Sequence, residues 1–390
     1  MMFSRRVPAD RRPNAFARAV AAARGGGAPL LDLTVSNPTR VGIRYGAGTL
    51  APLGADAALG YQPSPMGLPA ARAAVARDYG RRGIDFAPER VVLTASTSDA
   101  YSLLFKLLCD PGADVLSPVP SYPLFDHLTA LDGLSQRPYR LEYHGRWSID
   151  PASLDRCWTS ATRAVLAVSP NNPTGSVLDE ADARALADRC AARDAALILD
   201  EVFCDYPLHD GTLTQPEALR RPACLLFRLG GLSKSAGLPQ VKLGWIAVDG
   251  PDALVAEALD RLELIADTYL SVSTPVQLAA PALIDAGAGT RAQMLDRVRG
   301  NYRVLAALAA GYPAVTLLHA DAGWSAVLRV PATIGEEALA IELLERHGVL
   351  VHPGFFFDFP NEAFLVLSLL PEPETFARGA ALVLEHAGAA

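Results

Sequence analysis

The chain has 390 residues, half of them hydrophobic, with a formal net charge of -7 and an isoelectric point of about 5.6. That length is too great for one small domain and enough for a sizeable core, so two domains are expected. The acidic balance, with no basic block beyond the pairs Arg5-Arg6 and Arg11-Arg12, argues against nucleic acid as a partner. The five cysteines (Cys109, Cys157, Cys190, Cys204 and Cys224) form no C-x-x-C pair, and their odd number argues against a disulfide framework. No apolar segment follows the opening Met-Met-Phe-Ser-Arg-Arg, and no run reaches the roughly 18 apolar residues of a membrane span. A cytoplasmic protein without a membrane anchor is the expectation.

In chain order, the Ala-rich stretch over 15–24 predicts a short helix stopped by Gly25-Gly26-Gly27. The triple glycine follows no strand and does not fit G-x-G-x-x-G, so it reads as a flexible stop. From residue 50 the pattern alternates. Helices are predicted over 68–82, 98–109 and 179–193. Short apolar runs over 91–94, 114–117, 164–168, 196–199, 225–229 and 244–248 predict buried strands. Such alternation predicts an α/β fold, a mostly parallel sheet covered by helices. After Thr274 the pattern changes to a helix over 291–310, a strand over 324–330, a helix over 336–347, a strand over 364–370 and a final helix near 373–386. These predict a smaller α+β domain. The expected division is a large domain over 48–289 and a small one built from 1–47 and 290–390.

The residues that carry chemistry sit in loops after the predicted strands, where ligands bind in parallel sheets. Lys234 lies in Gly231-Leu232-Ser233-Lys234-Ser235-Ala236-Gly237, a small-residue loop; the bland reading is a surface lysine. The other two lysines are Lys106, inside an apolar helix where it reads as a snorkelling side chain, and Lys242. Asp200 ends an apolar strand, a costly place for a carboxylate unless it meets a cation or caps a helix. Its neighbour Glu201 points the opposite way from an extended strand. Ser169-Pro170-Asn171-Asn172-Pro173-Thr174-Gly175 is a turn by composition. Thr94-Ala95-Ser96-Thr97-Ser98-Asp99-Ala100 links a strand to a helix. It reads as an ordinary cap, with Ser96 or Ser98 as the capping residue, as an anion site, or as both. An imine-forming lysine, an acid for a ring nitrogen and an anion cup are what pyridoxal-phosphate chemistry requires. No metal is called for.

Taken together, Tyr61-Gln62-Pro63-Ser64-Pro65-Met66-Gly67, the turn over 96–100, Pro120-Ser121-Tyr122-Pro123, Asn172-Pro173-Thr174-Gly175, Asp200-Glu201-Val202-Phe203, Ser233-Lys234 and Lys242-Leu243-Gly244 form an ordered set. The set resembles the class I/II aminotransferases of the aspartate-aminotransferase superfamily, fold-type I, from residue 32 to residue 368. The resemblance implies pyridoxal 5'-phosphate as cofactor and a homodimer acting on an amino donor and an oxo-acid acceptor. By the same resemblance Lys234 is the cofactor-bonding and proton-shuttling lysine, and Asp200 is the pyridine-nitrogen partner. Asn172 is the donor to the ring 3-oxygen and Tyr122 the stacking aromatic. Thr97 and Ser98 belong to the phosphate turn, joined in phosphate binding by Ser96, Ser233 and Lys242. Tyr61 is the tyrosine that reaches the phosphate from the neighbouring subunit, and the stretch with Tyr269 lies near the partner's site.

Four positions depart from the family pattern. Phe203 stands where a tyrosine usually donates to the ring 3-oxygen, and Tyr206 is the nearest replacement. Gly231 stands for a frequent serine. Lys242 stands for an arginine, keeping the charge but losing the two-pronged donor. Val366 stands where an arginine usually clamps the substrate carboxylate, and no Arg or Lys occurs over 349–376. The replacement candidates are Arg40 and Arg44, beside Asn37 in the N-terminal segment, and Arg329. Phe355, Phe356, Phe357 and Phe359 either line a pocket or pack the domains together. The leading reading is an aminotransferase. The alternatives are another pyridoxal-phosphate reaction on this fold (β-lyase, decarboxylase or racemase) and a non-catalytic regulatory module that binds the cofactor.

Overall fold

The computed structural model describes residues 2–389. It opens with α1 (Ala15–Gly25), capped by Asn14, whose side chain accepts from the Ala17 N–H, and the short strand β1 (Leu31–Asp32). Then come α2 (Pro69–Gly80), β2 (Val91–Thr94), α3 (Thr97–Leu108), β3 (Asp114–Val119), α4 (Phe125–Leu131), β4 (Ser135–Tyr143), β5 (Trp147–Ile149) and α5 (Pro151–Cys157). β6 (Thr162–Val168), α6 (Glu180–Ala192), β7 (Ala196–Asp200), β8 (Leu226–Gly231), the single turn α7 (Leu232–Ser235), β9 (Gly244–Asp249) and α8 (Asp252–Tyr269) follow. The chain ends with α9 (Thr274–Ala309), β10 (Thr316–Leu317), β11 (Ser325–Arg329), α10 (Glu336–His347), β12 (Val349–Leu350), β13 (His352–Pro353), β14 (Phe364–Ser368) and α11 (Pro373–Ala389).

The large sheet has eight strands in the order β2-β9-β8-β7-β6-β3-β4-β5. The run β8-β7-β6-β3-β4 is parallel; β9 opposes β8, β2 opposes β9 and β5 opposes β4. Its central strands are apolar on both faces and sandwiched by helices, as the short apolar runs require. A second sheet, β10-β11-β14-β13, packs with α10 and α11 in a separate core. β4 escapes the apolar-run criterion because most of its side chains are exposed, and Pro138 sits where β4 has no outer neighbour.

One expected helix is longer than the sequence pattern indicates. The stretch over 291–310 is the second half of α9, which begins at Thr274 and runs through Pro281. A proline inside a helix costs a backbone hydrogen bond. Burial of Ala279, Ala280, Leu283 and Ile284 against the large sheet's helices sustains the turn across it. The later residues Met294, Val298, Tyr302 and Leu305 join the second core, so α9 connects the two. Among the described residues no helix is long and apolar enough to cross a membrane.

Parallel pairing brings the loaded loops to one edge. Val168, Asp200 and Leu229 are register partners, so β6, β7 and β8 end side by side, about 4.8 Å apart. β2 runs in the same direction, and Thr94 pairs with Gly244 at that edge. Behind it, Glu201 faces away from Asp200. It accepts from Arg228 Nη1 at 2.8 Å and Arg82 Nη2 at 3.0 Å. Arg228 is fully buried. Burial would raise the Glu201 carboxyl, but the two arginines more than reverse this and hold it below the usual glutamate range. A lowered carboxyl stabilises the fold above roughly pH 4.5, and that contribution fades as pH falls through the folded-state value. Glu201→Gln leaves Arg228 buried and uncompensated and is expected to cost about 3 to 5 kcal/mol in denaturant unfolding. Adding Arg228→Leu is expected to recover part of the loss.

Candidate active site

Asp200, the last residue of β7, is only 8% exposed. Its Oδ1 accepts from the Val202 N–H at 3.1 Å and its Oδ2 from the Tyr101 hydroxyl at 2.9 Å. Among the described residues it has no ion-pair partner. Burial pushes its pKa up to about 6 against these two donors, with a nearby like charge, Glu201, adding to the rise and Lys234 opposing it. Tyr101 was not foreseen as a site residue; an apolar helix that contains a tyrosine needs a partner for its hydroxyl, and that was the available signal.

Lys234 lies in α7, directly after β8. Its Nζ sits 4.9 Å from the Trp324 ring centroid and 5.5 Å from that of Phe203. Burial lowers its pKa to about 8, and Asp200 works in the opposite direction. The backbone of this turn is held from behind. The Tyr206 hydroxyl donates to the Lys234 carbonyl, and Arg291 Nη1 donates to the Ser235 carbonyl at 3.1 Å. Tyr206 is therefore already engaged, and it does not take the place of the tyrosine missing at Phe203. Lys106 bonds Asp132 and Ser102 at the surface.

Two turns complete the edge. Asn171 is buried and ties them together. It accepts from the Ser121 hydroxyl at 2.8 Å and donates to the Pro120 carbonyl at 3.0 Å and Thr174 Oγ1 at 2.9 Å. That frees Asn172, whose Oδ1 accepts from Ser325 at 3.2 Å while its amide nitrogen has no partner among the described residues. Tyr122 packs edge-on against Phe125, and burial, with Asp200 nearby, raises its hydroxyl pKa. At the start of α3, Ser96 accepts from the Asp99 N–H at 3.1 Å and Asp99 accepts from the Ala95 N–H at 2.9 Å. This reciprocal cap leaves the Thr97 and Ser98 N–H groups without partners. Gly244 lies beneath the cap: a Cβ there would stand 2.9 Å from the Ser96 carbonyl carbon and 3.1 Å from the Thr97 nitrogen. Gly231 is also confined, its Cβ position lying 3.0 Å from the Leu243 oxygen, so a serine here would require the start of β9 to shift by a few tenths of an ångström.

The peripheral candidates fall into different places. Ser233 flanks Lys234 in α7, and Lys242 is exposed with φ at +61°. Tyr61 and Tyr269 are 74% and 55% exposed. Asn37 caps a short turn, accepting from the Thr39 N–H at 3.0 Å, and Arg40 ends that turn with an exposed guanidinium. This segment runs beside β14, because the Leu33 carbonyl accepts from the Ser368 N–H and the Val35 carbonyl from the Ser368 hydroxyl, each at 2.7 Å. Arg44 is pinned through its backbone by Gln293 and its side chain is free. Arg329 is exposed at the opposite end of β11 from Ser325, roughly 13 Å along the strand, and is not brought to the site. Val366 is buried among Val327, Leu318, Phe357 and Phe359. Phe359 stacks on Phe364 and Phe356 packs on Phe16, so the phenylalanine cluster is largely packing between elements.

An uncompensated acid, a partly neutral amine, an unpaired amide donor and an unfilled N–H cup share one edge. That donor set fits pyridoxal phosphate: a ring nitrogen at the acid, a carbonyl at the amine, a ring oxygen at the amide and a phosphate at the cup.

Comparison with known proteins agrees. An alanine aminotransferase of Mycobacterium tuberculosis is 28% identical over 342 residues, covering 85% of this chain and 78% of that protein. An arginine–pyruvate transaminase of Pseudomonas aeruginosa is 30% identical over 332 residues, covering 83% and 82%. The solved alanine aminotransferase of Pyrococcus furiosus shares the fold with a TM-score of 0.85 at 22% identity, over 98% of this chain and all of that one. An Escherichia coli aminotransferase also superposes at 0.85, with 20% identity over 100% and 98% of the two chains. The family model for aminotransferase class I and II matches residues 53–375, so the chain belongs to that family of pyridoxal-phosphate-dependent enzymes and is an aminotransferase.

Proposed function

We propose that this aminotransferase holds pyridoxal phosphate at the shared edge of β6, β7, β8 and α3, with Lys234 bonded to it, and works as a homodimer. The observation that carries the reading is Asp200, a buried carboxylate with no cation of its own. Bound there, the cofactor supplies an electrophilic carbonyl and a ring that takes up electrons from the substrate carbon. Asp200 keeps the proton on the ring nitrogen. The Asn172 amide donates to the ring oxygen, and Tyr122 covers one ring face. The Thr97 and Ser98 N–H groups, with Ser96, Ser233 and Lys242, hold the phosphate. Lys234 Nζ, freed of that bond, would move the proton from the substrate carbon to the cofactor's carbonyl carbon, which is the transfer that amino-group exchange requires. Tyr61 and Tyr269, exposed in one chain, reach the second copy's site. The five free cysteines support a reducing compartment, the cytoplasm.

Borohydride reduction of the loaded enzyme followed by peptide mapping is expected to label Lys234, and label on Lys106 or Lys242 would overturn the assignment. Lys234→Ala is expected to lose turnover by orders of magnitude. The cofactor-free enzyme is expected to load faster as pH rises and to level off above a midpoint near 8, because only the neutral amine attacks a carbonyl. A lysine at its ordinary value would still be accelerating at pH 10.

Phe203 donates nothing to the ring oxygen, so Asn172 is left as the donor. Phe203→Tyr adds a partner to the deprotonated form and is expected to lower the pH midpoint of the bound cofactor's visible absorption. An unchanged or higher midpoint would contradict the argument.

For amino acid donors, the carboxylate falls to Arg40 or Arg44, since Val366 offers no charge and Arg329 lies away from the edge. Steady-state kinetics should find that one of Arg40→Ala and Arg44→Ala loses about 2 kcal/mol or more in kcat/KM. If neither does while simple α-amino acids turn over well, both are excluded.

A further inference from the structure

The face of β7 opposite Asp200 holds a cavity of about 560 Å³, bounded by Arg81-Arg82, the loop after β7 and α9. That volume is in the range of small-molecule sites. Two of its arginines, Arg81 and Arg82, are neutralised by Asp205 at 2.7 Å and Glu201 at 3.0 Å. Arg291 and Arg299, contributed by α9, are not. Arg299 gives its hydrogen bonds to the carbonyls of Pro207 and His209, at 2.7 and 2.8 Å, and Arg291 gives one to the Ser235 carbonyl at 3.1 Å. Among the described residues neither has a carboxylate partner. A carbonyl satisfies an N–H but leaves the charge unbalanced. A guanidinium carries five N–H donors in a planar fork, so most of Arg291's donors remain for an anion. Beyond the arginines and the two carboxylates that pair with them, the wall combines Ile84, Leu178, Leu199 and Leu295 with Ser169, Thr212, Thr214 and Gln215.

We propose that this cavity is a second ligand site, distinct from the amino-transfer site, for a small carboxylate with an apolar body. The carboxylate meets the free edge of Arg291 and the body lies along Ile84, Leu178 and Leu295. The site touches the catalytic lysine's turn from behind. Arg291 binds the carbonyl of Ser235, the residue after Lys234, so an anion drawn to the same guanidinium acts on the backbone that positions the amine.

Isothermal titration of the cofactor-loaded enzyme with 3-phenylpropionate and with hexanoate tests this, with sulfate as the probe for charge alone. Both carboxylates are expected to bind wild type, and sulfate at least tenfold more weakly. Arg291→Gln is expected to weaken binding roughly tenfold or more, the scale of a charged hydrogen bond. Ala292→Trp keeps every charge, places an indole in the cavity beside Arg291, and is expected to block binding there. It remains decisive where Arg291→Gln disturbs the turn. Absence of binding to wild type, or undiminished affinity in Ala292→Trp, overturns the proposal, the second result by placing the probe in the amino-transfer site. Sulfate binding as tightly as the carboxylates overturns the apolar half of the ligand assignment. Bound probe is expected to move the pH midpoint of the cofactor's visible absorption in wild type; heat of binding without that movement overturns the connection to Lys234.

Discussion

A carboxylate taken out of water at the end of β7, with no ion-pair partner among the described residues, is the constraint on which the rest of the edge depends. Burying an unpaired charge is costly, and such groups ordinarily neutralise or acquire a partner. Asp200 has two hydrogen-bond donors, Tyr101 and the Val202 N–H, and its pKa still rises. The adjacent residue shows that the fold supplies cations where it needs them. Glu201, one step along the chain and on the other face, has two arginines and a lowered pKa. Alternation along one strand thus separates a structural carboxylate from one held open for a ligand. In the proposed reading a pyridinium nitrogen would complete the second, as Arg228 and Arg82 complete the first.

Lys234 follows from the same arrangement. Its amine is close enough to Asp200 to feel its charge, but the two form no ion pair. Burial lowers the lysine and raises the aspartate, so each is moved toward its neutral form. The aromatic faces of Trp324 and Phe203 exclude water from the amine without offering it an acceptor. The lowered lysine pKa thus comes from burial against apolar walls, and the hydrogen bonds of Tyr206 and Arg291 fall on the backbone behind the lysine and leave its amine free.

Much of this was legible in the sequence because parallel sheets are assembled from short apolar runs, and their loop residues declare themselves by type. Lys234, Asp200 and Asn172 each stand where a strand ends. β4 was hidden by its exposed side chains, and the first half of α9 by Pro281, whose effect is overcome only by contacts distant in sequence. Tyr101, Asn171 and Trp324 were missed for the same reason. Their roles exist only once α3, the turn after β6 and β11 meet, and nothing local distinguishes them from core tyrosine, turn asparagine or packed tryptophan. Arg329 failed in the opposite sense: the residue type is right, but four residues of strand carry it away from Ser325, the end of β11 that touches Asn172.

One departure from the family pattern, Gly231, lies at a tight backbone crossing. The end of β8, the start of β9 and the first turn of α3 approach closely: a Cβ at Gly244 would stand 2.9 Å from the Ser96 carbonyl carbon and one at Gly231 3.0 Å from the Leu243 oxygen. Bare backbone at this crossing brings the N–H groups of Thr97 and Ser98 against the strand edge, and it also removes the serine hydroxyl that many relatives place before the lysine. With no hydroxyl at 231 and an ammonium at Lys242, the proposed phosphate site would rest more on fixed amides and less on side chains. Lys242 itself adopts a left-handed backbone, a conformation that costs a non-glycine residue about 1 kcal/mol or more. The strain is tolerable because the chain must turn sharply there to bring Leu243 and Gly244 under the cup, where Leu243 accepts from the Leu232 N–H at 2.9 Å and so joins β9 to the turn that carries Lys234. The first turn of α3 and the turn that carries Lys234 thereby meet through the backbone of β9, with no side chain between them.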